Sequence, residues 1–99
     1  MMTGRETLIG VRNLENLVYE RIDDARVAYP YLFVYLLRDG EVFKMGLYHP
    51  FLQIAVGNDR EPAFTFYPTE EPVSLNVEHW QHILETARDF LPEALASGD

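Results

Sequence analysis

Apolar residues recur at helical spacing near the beginning and near the end of this chain, and at strand spacing in between. In the stretch 13–28, Leu14, Leu17, Val18, Ile22, Ala25 and Ala28 fall three or four residues apart and form one stripe. Asn13 is suited to cap such a helix. Arg21 lies inside the stripe and must carry its guanidinium outward on its aliphatic stem. Pro30 stops the element, because the residue before a proline is pushed out of the helical region.

The period then changes to two. In 31–48, Asp39-Gly40 between two apolar runs is a strong hairpin signal, and a two-residue turn sets Leu37 opposite Val42 and Tyr31 opposite Tyr48. Leu32, Val34, Leu36, Phe43, Met45 and Leu47 then share a wholly apolar face, which must be core. The other face carries Tyr31, Phe33, Tyr35, Lys44 and Tyr48, aromatic but dotted with hydroxyls and a lysine. Two further strands follow at 51–57 and 63–67, joined by the turn-rich "NDREP". Leu52, Ile54, Val56, Phe64 and Phe66 belong with the core, and Gln53, Ala55, Thr65 and Tyr67 with the aromatic face.

The second helical stretch starts at 77, with Asn76 as its cap and Glu78 in its first turn, where negative charge is favoured. Trp80, Ile83, Leu84, Ala87 and Leu91 form its stripe, with His82 on the polar side, and Pro92 closes it near Leu91. The expected architecture is α+β, a two-layer sandwich over 1–99 as a single domain. It comprises a four-stranded antiparallel meander sheet with N- and C-terminal helices, in the order α-β-β-β-β-α. Both helices are expected on the apolar sheet face, leaving the tyrosines open.

Composition narrows the class. Ninety-nine residues suit one core, and 47% hydrophobic content fits a packed domain. With no cysteine there is neither a disulfide nor a thiolate metal site. No stretch has the pattern of a signal peptide or a membrane span, so a soluble, cytoplasmic protein is expected. The net charge of −8 is uneven: residues 1–49 hold seven acids and six bases, residues 50–99 nine acids and two bases. Such a field repels phosphate backbones and excludes direct nucleic-acid binding as the expected role; it favours a basic partner.

Candidate chemistry is thin. His79 and His82 stand three apart, whereas the zincin pattern needs histidines four apart with an adjacent glutamate. No third ligand accompanies them, so no metal and no cofactor is expected. His49 sits at a strand bend without an assignable acid–base partner. No phosphate-binding loop, dinucleotide fingerprint or nucleophile elbow occurs, and no enzymatic activity is expected.

Two surfaces carry the functional expectation. One is the aromatic sheet face, with Tyr31, Phe33, Tyr35, Lys44, Tyr48 and Tyr67, since tyrosine and other aromatics are enriched where proteins bind proteins. The other is the acidic surface of Glu70, Glu71, Glu78, Glu85 and Asp89, which would steer a basic partner. Small acidic α+β chains of this kind resemble, in general character, toxin-immunity proteins, phage anti-defence inhibitors and secretion chaperones. The likeness implies a non-enzymatic inhibitor or neutraliser of a basic or nucleic-acid-handling macromolecule. The alternatives are a homodimeric chaperone or assembly scaffold, its sheets packed through their tyrosine faces, and a small enzyme or ligand binder using His49 or the His79/His82 pair.

Overall fold

The structure is a computed structural model that describes residues 5–8, 16–38, 41–44, 46 and 48–98, the first four by their backbone alone. The strands are β1 (Arg5–Leu8), β2 (Leu17–Ile22), β3 (Tyr31–Leu36), β4 (Leu52–Val56) and β5 (Pro62–Phe66), followed by the helix α1 (Val77–Ser97). They form a five-stranded antiparallel sheet in the order β1-β2-β3-β4-β5.

The expected order α-β-β-β-β-α is therefore corrected. The stretch read as an N-terminal helix holds β2, which pairs with β3 through Leu17–Leu36, Tyr19–Val34 and Ile22–Tyr31. Leu17, Val18, Tyr19, Glu20 and Ile22 are all buried, because β2 is covered on both faces. A strand apolar on both sides loses its two-residue alternation, and its residues fall by coincidence at helical spacing. Asn13 and Leu14 lie outside the described residues. Asn16, at φ 82°, adopts the left-handed conformation that asparagine tolerates, and its carbonyl accepts from the Leu37 N–H.

The hairpin at Asp39-Gly40 is corrected in part. Those two residues, with Met45 and Leu47, lie outside the described residues. Among the described residues the strand expected after them is not formed, since Glu41–Lys44 have no strand pairing and the next partner of β3 is β4. Phe43 instead folds onto the face opposite to the expected one and packs against Tyr35, ring centroids 4.8 Å apart.

The register sorts side chains cleanly. Leu17, Tyr19, Leu32, Val34, Leu52 and Ile54 form one face of the sheet and meet Ile83, Ala87, Phe90 and Ala94 of α1 in the main core. Each such large side chain contributes about 1.5–3 kcal/mol by leaving water. The second core lies on the other face, where Val18, Tyr35 and Leu37 are covered by Phe33, Phe43 and Tyr48.

The β4–β5 turn closes through Gly57 N–H to Glu61 O (2.8 Å) and Arg60 N–H to Gly57 O (3.0 Å), with Arg60 left-handed at φ 65°. The α1 N-terminus carries a reciprocal cap: Asn76 Oδ1 accepts from the His79 N–H (2.7 Å), and His79 Nδ1 accepts from the Asn76 N–H (3.2 Å). Pro92 does not close the helix near Leu91; α1 runs through it to Ser97. Proline removes one ladder bond there, but Phe90 and Ala94 on either side are buried in the core and hold the last turns.

Candidate functional site

The aromatic face is largely used by the chain itself. Tyr35 is 3% exposed, and its hydroxyl donates to Glu20 Oε1 at 2.6 Å, with Glu20 fully buried beside it on β2. Tyr48 stacks on Phe43 at 6.0 Å and donates to the Val42 carbonyl, while Lys44 stays exposed. Phe43 and Tyr48 thus lie over the half of the face nearest Tyr35.

The other half is more open. Phe33 packs steeply inclined against the rings of Tyr31 (centroids 5.4 Å apart) and Tyr67 (6.2 Å), and Tyr67 donates to Gln53 Oε1. Desolvation and the nearby Asp24 carboxylate push the Tyr31 hydroxyl above its ordinary range. Asp24 itself is held at about 2, chiefly by the Arg26 guanidinium, then by the Arg26 backbone N–H. At this end of the sheet a cleft of about 610 Å³ is lined by Tyr29, Tyr31, Gln53, Asn58 and Arg60, with the Arg60 guanidinium donating to the Tyr29 hydroxyl at 3.1 Å.

The expected acids are exposed. Glu71 takes Arg38 at 2.6 Å, both side chains open to water, a pair worth about 0–1 kcal/mol. Glu70 stands in the loop before it. Glu78, Glu85 and Asp89 lie along the outward side of α1.

The histidines are engaged separately. His79 belongs to the helix cap. His82 lies toward β2 rather than on the polar side: its Nδ1 is 2.9 Å from the Tyr19 hydroxyl and 3.4 Å from Thr86 Oγ1. His49 is exposed at the bend before Phe51. Among the described residues, no group of three or more His, Cys, Asp or Glu side chains could hold a metal. Among the same residues, no helix is long and apolar enough to cross a membrane.

The surface that sequence reasoning missed is the flank where α1 overhangs β5. The buried side of α1 is Ile83, Thr86, Ala87, Phe90 and Ala94, rotated from the expected stripe. Trp80 and Leu84 are left 37% and 38% exposed at its margin, with Val77 at 73% and Phe66 on β5 at 60%. The Trp80 ring lies 6.1 Å from Phe64 and 6.4 Å from Phe66. A groove of about 380 Å³ continues this strip between Pro62, Phe64, Leu84, Arg88 and Leu91. The signal was in the width of the apolar arc: from Phe90 through Ile83 and Trp80 to Val77 it covers roughly 140° at 100° per residue, wider than the roughly 100° stripe that packs on one sheet face. Comparison with family models, with curated proteins and with solved structures finds no match for this chain.

Proposed function

We propose that this chain is a small, non-enzymatic protein-binding module whose docking surface is the β5 flank. The observation that carries the reading is the strip formed by Phe66, Val77, Trp80 and Leu84, large apolar side chains left in water along a strand with no further strand beside it among the described residues. Together they expose on the order of 400 Å², within the range of the largest apolar patch on a typical monomer, which is often a functional one. An aromatic anchor of this kind supplies most of the energy of a typical interface.

The charge supports the class of partner. Most of the net −8 falls in the second half of the chain, with Glu78, Glu85 and Asp89 on the outer side of the same helix and Glu70 and Glu71 in the loop before it. Acids there speed the approach of a basic macromolecule to the outer side of α1, as an inhibitor or neutraliser would require, and the apolar strip supplies the protein-docking contact.

The test is capture from a lysate of the host organism, wild type against two variants. Trp80→Asp with Leu84→Asp should lose a partner that the wild type retains. Glu70, Glu71, Glu78 and Glu85 changed together to lysine should weaken capture and flatten its salt dependence. The same proteins recovered on all three baits, at the same salt, would end the reading. A scaffold acting as a homodimer is the second reading, favoured by the open side of β5.

A further inference from the structure

We infer that the β5 flank docks a second copy of this chain, the two β5 strands pairing antiparallel about a two-fold axis at Thr65. The inference rests on the protein-binding reading of the same flank and names its occupant.

Backbone parity comes first. Tyr67 N–H donates to Phe51 O and Gly57 N–H to Glu61 O, in one register with the β4–β5 pairs. Residues 61, 63, 65 and 67 therefore spend their backbone groups on β4, and Pro62, Phe64 and Phe66 point theirs outward. Pro62 has no N–H to offer, and neither has Pro68 beyond the strand. The outward groups able both to donate and to accept are those of Phe64 and Phe66.

One symmetric register uses them all. With Thr65 opposite Thr65 of the second copy, Phe64 faces Phe66 of that copy and Phe66 faces its Phe64. Each pair exchanges two hydrogen bonds, and Pro62 meets Pro68 where the ladder ends. Centring the axis on Phe64 or Phe66 instead sets a proline opposite one of them and leaves a carbonyl unmatched. The window between the two prolines is thus complementary to itself, as a two-fold interface requires.

The side chains agree. Phe64 and Phe66 point toward α1, so the ladder stacks them as cross-strand aromatic pairs under Trp80. Trp80 and Leu84 then close against their symmetry mates. The apolar strip alone supplies about half of the roughly 800 Å² per partner of a standard interface, and the strand ladder adds to it. Arg88, beside Pro62 at the start of β5, comes toward Glu70 of the second copy, beyond the end of its strand. The side chains within β5 carry no charge, so nothing in the strand repels its own copy. Glu78, Glu85 and Asp89 of both helices remain outward, giving a doubled acidic face.

The test is sedimentation of the full chain from low to several hundred micromolar, with oxidation of a Thr65→Cys variant. The chain has no cysteine of its own, so that thiol is single. Across a non-hydrogen-bonded antiparallel pair, Cα atoms lie about 4.5 Å apart, within reach of a disulfide. The expected result is a doubled mass, fast cross-linking of Thr65→Cys but not of an Asn58→Cys control, and self-association weakened about tenfold or more in Phe66→Lys. Phe66 is mostly exposed, and circular dichroism checks that this variant is folded. A monomer throughout, with Thr65→Cys oxidising no faster than the control, overturns the dimer. If the flank variants still lose a captured partner in that case, only the identity of the occupant is wrong; if they lose nothing, the binding reading falls as well.

Discussion

Removing the Tyr35 hydroxyl is the sharpest probe of what holds this sheet together. The O–H donates to Glu20 at 2.6 Å, between side chains that are 3% and 0% exposed. A hydrogen bond to a buried carboxylate is worth roughly 1.5–3 kcal/mol net, because the acceptor keeps its desolvation cost when the donor goes. The Tyr35→Phe ring still packs on Phe43, so no cavity adds to that cost. For a domain of this size each kcal/mol shifts Tm by about 4–8 °C, so Tyr35→Phe should melt on the order of 10 °C lower. Urea unfolding followed by circular dichroism, with an unchanged slope, measures the loss directly. Tyr48→Phe is the control: its hydroxyl donates to an exposed carbonyl, and its removal should cost less than about 0.5 kcal/mol. If Tyr35→Phe costs no more than Tyr48→Phe, the buried pair does not stabilise the fold and the second core is held by packing alone.

Two other predictions concern the helix cap and the acid limb. Asn76→Ala should cost about 1 kcal/mol in thermal or urea unfolding, since it removes the acceptor for the His79 N–H; a loss under a few tenths would mean that water replaces the cap. Asp24, lowered from 3.8 to about 2, stabilises the fold above its unfolded value, and that contribution fades as pH falls from near 4 toward 2. Wild type and Asp24→Asn should therefore converge in Tm across that window, and a constant gap between them would show that Arg26 does not hold the carboxylate.

Where the sequence was legible, one face of an element was buried and the other was not. Leu52 and Ile54 alternate with Gln53, and that reading placed both apolar side chains in the core. It was equally able to set Gln53 beside Tyr67, which donates to it. β2 defeated it, because Tyr19 faces α1 while Val18 and Glu20 face the second core. A strand buried on both sides carries no period to read, and a carboxylate within it looks like a helix surface. Asp39-Gly40 misled for another reason: a turn dipeptide specifies a bend, whereas pairing after it depends on which strands compete for β3. Both sides of β3 are taken, by β2 and by β4. The β5 flank went unseen because Trp80, Leu84 and Phe66 are apolar, and apolar residues were assigned inward. Only the rotation of α1 over the sheet, set by Ile83, Phe90 and Ala94, decides which of them remain in water.

The sheet repeats the order of the chain, each strand lying beside its neighbour in sequence. Closures between such neighbours are entropically cheap, and contacts of short sequence separation form early. β4, β5 and α1 occupy one unbroken stretch, 52–97. Within it lie the hairpin, the helix that packs on it, and every side chain of the exposed strip. The surface offered to a partner is thus a local product of the later half of the chain. The earlier half reaches it from below, through Tyr19 against His82 and Arg21 against Glu93, and so sets the seating of α1 rather than the chemistry it presents.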